Sequence, residues 1–335
     1  MFYPHELEWI EGANIDQIHW ILNGETLYSD PSISFIPSAY NPLYFTISAG
    51  LMKLFGIGFT GPRLLSILST VGILLIVVLM VTTETKNIYA GIIAAGIYAV
   101  SFRFSGAWMD LAKTDSLFLF LILAGFFVGL RYSNLTGFVA SGLLLVLAYY
   151  TKQVALPIIL VLATFSLISN AGKTWPQWLT VGLIGIVIFI AIDAITDNWF
   201  SFYTLDNHMR HTRVWNPLLF WEPMIKKMWP AMLISLLYPV YVISRTNIAA
   251  LKRNERFWGH IGLGIGLILA SWVVFSKVWT YDNGFMPATL GIAILTGLGL
   301  GETIKRKNES PNLINSGVFR AGVLFVCAVQ FAILA

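Results

Sequence analysis

Long apolar stretches almost free of charge recur from residue 64 to residue 335, and they restrict the chain to structures that a bilayer permits. Inside hydrocarbon every backbone N–H and C=O must find an internal partner, so such runs become helices or closed barrels. The short alternating strands of a barrel are absent, whereas runs approaching the roughly 20 residues that cross about 30 Å of hydrocarbon are frequent. Hydrophobic residues make up 57% of the chain and charged residues 11%, with a mean hydropathy of +0.73. Soluble domains carry about 25% charge. The expected fold is an all-α polytopic transmembrane helix bundle.

About ten spans are expected from run length. They fall at 64–82, 88–102, 115–131, 136–149, 154–169, 178–196, 230–245, 258–276, 284–301 and 317–335. The run at 136–149 is short for a perpendicular span and has to draw on Tyr149 and Tyr150. Residues 40–56 are apolar but rich in aromatics and end in Gly56-Ile-Gly58, which suits an interfacial helix. No period of 20 to 50 residues repeats. The chain therefore reads as one membrane domain, 1–335, with an exterior loop carrying juxtamembrane helices at 1–63 and transmembrane helices over 64–335. The largest later polar interruption, 197–229, holds Tyr203, Trp215, Trp221 and Trp229, an aromatic density suited to the headgroup belt. The abrupt ends fit either a compact protein or a fragment lacking a first helix and a tail.

Alternating the connections between two sides collects Lys86, Arg131, Lys173, Arg245, Lys252, Arg253, Arg256, Lys305, Arg306 and Lys307 on one face. The positive-inside rule makes that face cytoplasmic. Most of the acids then fall outside, and the sequons at Asn134 and Asn308 fall inside, where glycosylation is not expected. The net charge of +4 is spread over loops with no basic stripe, which argues against nucleic acid as a partner. Cys327 is the only cysteine, so neither a disulfide framework nor a cysteine metal site can be built. Membrane lipids are the expected surroundings, in a bacterial-type inner or plasma membrane.

Chemistry is expected on the exterior side. The leading segment carries Glu6, Glu8 and Glu11; read as a helix opened near Pro4, it stacks Glu8 and Glu11 at i, i+3 spacing. Around Trp108–Ser116, Asp110 and Lys113 are spaced to pair, and Thr114 or Asp115 is placed to cap the following helix. Lys152 sits in a very short turn, where a lipid headgroup or a phosphate in a site would satisfy its charge equally. Asp282 and Asn283 precede a glycine and a proline at the mouth of a span, where turn chemistry alone explains them. Asp193 lies within a turn of a span boundary, and His208 with His211 lacks a third metal ligand nearby.

Several of these segments, in order, resemble one known family. Glu8-Trp-Ile-Glu-Gly-Ala13, Ile21–Tyr28, Tyr40-Asn-Pro-Leu-Tyr44, Leu54-Phe-Gly56 and Arg63-Leu-Leu-Ser66 are similar to the first exterior loop and following helix of GT-C glycosyltransferases. The nearest type is the dolichyl-phosphate-mannose-protein mannosyltransferase-like and aminoarabinose-transferase-like group, glycosyltransferase families 39 and 83. Trp108–Leu117, Thr151-Lys-Gln153 and Tyr281–Pro287 extend the likeness over most of the chain. The family's adjacent Asp-Glu pair is here Ile10-Glu11, which leaves Glu11, then Glu8, as the catalytic candidates.

The resemblance implies transfer of a sugar, hexosyl or pentosyl, from a polyprenyl-phosphate donor to a lipid, glycan or protein acceptor outside the cytoplasm. A carboxylate would take the acceptor proton as the anomeric carbon is attacked with inversion, and cations would steady the departing phosphate. Substrate contacts are expected from Tyr28, Tyr40, Asp110, Lys113, Asp115, Lys152, Arg210, Arg213, Asp282 and Asn283. No cofactor is required for the transfer itself. A divalent cation, Mg or Mn, bridging Glu8, Glu11 or Asp115 to phosphate is the metal alternative. The rival readings are a transporter or lipid flippase, disfavoured by the nearly charge-free spans, and a scaffold that has lost catalysis.

Overall fold

A computed structural model of the protein describes residues 3–214, 216–278, 280–305 and 317–334. Trp215, Arg306, Lys307 and the Asn308 sequon lie outside the described residues. Twelve helices carry the architecture: α1 Trp9–Leu22, α2 Leu43–Phe55, α3 Thr60–Thr85, α4 Ile88–Val100, α5 Thr114–Arg131, α6 Leu135–Thr151, α7 Ala155–Ile195, α8 Leu218–Ser235, α9 Leu237–Arg245, α10 Glu255–Phe275, α11 Met286–Lys305 and α12 Gly317–Leu334. No strand is found among the described residues, and the bundle is all-α as expected.

Local chemistry sets the boundaries. Asn87, Asn134 and Asn254 cap α4, α6 and α10 by accepting N–H groups of Tyr89 and Ala90, of Gly137, and of Phe257. Asn134 of the first sequon is thus a helix cap. Gly56, at φ 88°, ends α2 in a conformation that a side chain would oppose.

Among the described residues seven helices are long and apolar enough to cross a membrane, against the ten spans expected. The expected spans at 88–102 and 136–149 are helices of 13 and 17 residues, about 20 and 26 Å at 1.5 Å per residue, short of the hydrocarbon thickness. Those at 154–169 and 178–196 are the two helical halves of α7, which meet at a kink where Asn170 leaves helical geometry at φ −162°, ψ 69°. The polar interruption expected at 197–229 is also shorter, because α8 begins at Leu218.

The chain folds into two compact units, one formed by Met1–Ile73, Trp108–Leu156 and Trp175–Arg213, the other by Leu74–Ala107, Pro157–Thr174 and Val214–Ala335. In the first unit α5 packs along α6, and α2 packs against α1 and α6. Ser141 donates to the Gly125 carbonyl at 2.7 Å across α5 and α6, a contact open only because Gly125 has no Cβ, which would stand 3.2 Å from the Ser141 carbonyl.

In the second unit α11 is the central element, packed by α4, α8, α9 and α10, and 94% of its apolar window is buried. A Cβ on Gly299 would come within 2.5 Å of the Ile234 carbonyl, so the glycine is what lets α8 and α11 approach. Pro230 interrupts α8, and the Ala231 N–H and Lys227 carbonyl, which would otherwise pair, both turn to Gln330 of α12. The Gln330 amide accepts from Ala231 N at 3.0 Å and donates to the Lys227 O at 2.9 Å. It replaces one rung of the helix ladder in a medium with no water to do so.

Candidate active site

The site lies in the first unit and begins with the leading segment. Its helix starts at Trp9 rather than near Pro4, because Glu8 occupies the cap and accepts the Ile10 N–H at 3.0 Å. Glu11, in the first turn, is fully buried. One of its oxygens accepts Arg63 Nε at 2.9 Å and Ala112 N at 2.7 Å; the other accepts Arg63 Nη2 at 2.6 Å and Leu7 N at 2.8 Å. Burial by itself would raise the Glu11 carboxyl, but the Arg63 guanidinium and the two backbone donors together hold it below the usual carboxylate range.

Arg63, also buried, stands in the first turn of α3 beside the Phe59 ring and donates to the Tyr3 and His5 carbonyls. It ties the leading segment, α1 and α3 into one body. Asn14, one turn beyond Glu11, donates to the Ala112 carbonyl at 2.8 Å, so one face of α1 grips the 108–113 segment at both N–H and C=O. From the other side Ser66 and Thr70 of α3 donate to the Lys113 and Met109 carbonyls.

The pinned segment delivers Lys113, which is buried with its ammonium 3.5 Å from the centre of the Trp108 ring. Among the described residues no carboxylate pairs with it. The Asp110–Lys113 pair expected from spacing is not formed; the ammonium turns to the indole face, a cation–π contact of about 0.5–2 kcal/mol. Burial holds the Lys113 pKa below the ordinary lysine value, against the favourable charges around it, Glu8 among them.

Asp115 does not cap α5, whose cap residue Lys113 makes no side-chain cap bond. Instead Asp115 accepts Lys152 Nζ at 2.7 Å, both residues being buried. Burial alone would lower the Lys152 ammonium, but the Asp115 charge and hydrogen bond leave it above the ordinary lysine value. The Tyr40 ring is near both cations, 5.9 Å from Lys113 Nζ and 5.4 Å from Lys152 Nζ. Tyr28 donates to the Tyr40 carbonyl at 2.6 Å and reaches the cluster only through that backbone.

The structure thus brings together Glu8, Glu11, Tyr40, Lys113, Asp115 and Lys152, which the sequence scatters over 145 positions from 8 to 152. Asp110 is half-buried beside them. Arg210 and Arg213 are exposed on the segment after α7, Arg210 over the Phe202 ring. Asp282 and Asn283 belong to the second unit. Asp193 is a local brace that accepts the Ser201 N–H, and His208 contacts the Ala39 carbonyl. Glu8, Glu11 and Asp115 do not assemble as a metal-ligand set; among the described residues no three His, Cys, Asp or Glu side chains do. Glu11 has spent its lone pairs on Arg63 and two N–H groups, and Asp115 is committed to Lys152. Sequence reasoning passed over Arg63; its signal was a lone arginine at the head of a long apolar run, directly after Pro62.

No family model and no curated protein matches this sequence. Solved structures do. The fold is shared with solved ArnT structures. ArnT from Cupriavidus metallidurans bound to undecaprenyl phosphate superposes with a TM-score of 0.64 at 15% identity, over 99% of this chain and 67% of that one. The same ArnT in the apo state gives a TM-score of 0.61 at 16% identity, over 97% of this chain and 65% of that one. The chain therefore spans about two thirds of the length of these ArnT chains.

Proposed function

We propose that this protein transfers a sugar from a polyprenyl-phosphate donor to a lipid, glycan or protein acceptor on the non-cytoplasmic face of the membrane, with inversion at the anomeric carbon. The observation that carries the reading is Lys113, a buried ammonium with no carboxylate partner, next to a second buried ammonium at Lys152 and an aromatic ring near both. A buried unpaired cation is costly, and it persists where it is arranged to meet an anion. The shared fold with an ArnT bound to undecaprenyl phosphate supports a phosphate-bearing lipid as that anion.

In this reading Lys113 and Lys152 take the phosphate oxygens, and Asp115 holds the Lys152 ammonium in place. The acceptor hydroxyl loses its proton to Glu8 as its oxygen bonds to the anomeric carbon. The bond from that carbon to the phosphate oxygen breaks, and polyprenyl phosphate leaves as the anion. Glu8 suits the base role better than Glu11. It is half-buried and spends one oxygen on its helix cap, whereas Glu11 has no lone pair to spare and is held toward its ionised, weakly basic form. Glu11 acts as a positioning residue that, with Arg63, sets the start of α1.

The test is incubation of the purified full chain in lipid with polyprenyl-phosphate sugars, followed by mass analysis of acceptors, wild type against Lys113→Met. Sugar transfer that Lys113→Met abolishes is expected. Translocation of the lipid without transfer would overturn the reading in favour of a flippase.

A further inference from the structure

The second unit holds a cavity of about 740 Å³ that the sugar-transfer scheme does not use. One wall is aromatic: the Phe104 and Phe285 rings stack at 4.6 Å, and Phe275 lies 4.2 Å from Phe285. The rim is charged. Glu222 is neutralised by Lys226 at 2.6 Å, one turn away on α8. Arg103 and Lys227 are exposed and have no hydrogen-bond acceptor or ion-pair partner among the described residues, and Asp282 faces the same space.

The lining comes from the ends of apolar helices. Arg103 and Phe104 follow α4, Asp282 and Phe285 precede α11, and the last turn of α12 completes the floor. Charges gathered at helix ends above an aromatic wall mark the level where a bilayer changes from headgroup to hydrocarbon. A volume in the range of about 300–1,000 Å³ fits a bound molecule rather than a few waters. With Lys226 and Glu222 cancelling, Arg103 and Lys227 exceed Asp282 by one positive charge. A soluble anion would leave the aromatic wall unused, a lipid without a phosphate would leave both cations unpaired, and a zwitterionic lipid would bring a second positive charge to a rim already positive.

We propose that this cavity is a binding site for an anionic phospholipid with a hydroxylated headgroup: the phosphate sits between Arg103 and Lys227, a headgroup hydroxyl donates to Asp282, and the first carbons of the chain lie against Phe104, Phe275 and Phe285. The site belongs to the second unit and does not depend on the sugar-transfer reading. Phosphatidylglycerol has the required chemistry, whereas a polyprenyl phosphate has the phosphate but no headgroup hydroxyl.

The test is native mass spectrometry of the purified full chain with three probes: phosphatidylglycerol, a polyprenyl phosphate, and phosphatidylcholine as the lipid without net charge. The wild type is expected to retain one anionic lipid in preference to phosphatidylcholine. In the double variant Arg103→Gln/Lys227→Gln that retention should fall about twenty-five-fold, since each cation near a bilayer surface contributes about five-fold to anionic lipid affinity. Loss for phosphatidylglycerol, alone or together with the polyprenyl phosphate, supports the site, and loss confined to the polyprenyl phosphate would overturn it. Equal retention of all three probes by the wild type would overturn it. So would unchanged retention in the double variant, or an equal loss in Lys86→Gln/Lys252→Gln, which removes two cations that do not line the cavity.

Discussion

Arg63 and Glu11, 52 positions apart in sequence, form a bidentate pair at 2.9 and 2.6 Å in which neither side chain meets solvent. Removing one partner strands the other charge, at a cost of about 3–5 kcal/mol. Arg63→Met is therefore expected to lower the thermal unfolding midpoint of the solubilised protein sharply. Arg63→Lys should recover only part, because a point ammonium cannot reach two carboxylate oxygens and the Tyr3 and His5 carbonyls at once. The double variant Glu11→Leu/Arg63→Met should also fall short of wild type, since it frees the Ala112 and Leu7 N–H groups as well.

The two buried pairs respond to opposite ends of the pH scale. Glu11 has a folded-state pKa below the unfolded value of about 4.3. Its contribution is complete above that value and is lost as pH falls through the folded one. Lys152 has a folded-state pKa above the unfolded value of about 10.4. Its contribution is complete below that value and is lost as pH rises through the folded one. Unfolding midpoints measured across pH should lose their acid decline in Glu11→Gln and part of their alkaline decline in Asp115→Asn.

Lys113 separates binding from folding. Its depressed pKa means the fold disfavours its charge, a penalty present at neutral pH and relieved as pH rises through the folded value. Lys113→Met should accordingly leave the unfolding midpoint unchanged or higher while abolishing binding of a polyprenyl phosphate. A large drop in midpoint with binding retained would show that the ammonium is structural.

Glu8 and Glu11 are distinguished by which quantity falls. Glu8→Gln keeps an oxygen for the Ile10 N–H, so stability should hold while sugar transfer drops about 10²–10⁴-fold, the usual contribution of a general base. Glu11→Gln should lower the midpoint first. Transfer rates compared at a temperature where both variants remain folded decide the assignment.

Gln330 offers a test away from the site. Gln330→Leu leaves the Ala231 N–H and the Lys227 carbonyl unpaired inside the bundle, at a cost of about 1–3 kcal/mol. Gln330→Met, similar in length, should not rescue it, because a thioether cannot donate to the Lys227 carbonyl.

The membrane class, the helical backbone and the chemical character of the leading segment were legible in the sequence, because they depend on composition and run length alone. A charge-free apolar run has few options in hydrocarbon, so α3, α5 and α10 appear close to where the runs lie. The order of motifs was also enough to point to the fold shared with the ArnT structures. Partner choice was not legible. Asp110 and Lys113 have the right spacing to pair, yet the ammonium finds Trp108; Asp115 has the composition of a cap, yet Lys152, 37 positions away, claims it. Arg63 and Glu11 look like a surface acid and a boundary arginine until folding buries both. Local spacing registers only the partners a residue can meet along its own helix. In a bundle, the contacts that decide whether a charge is base, clamp or anion site come from segments dozens of residues apart, and only the tertiary structure selects among them.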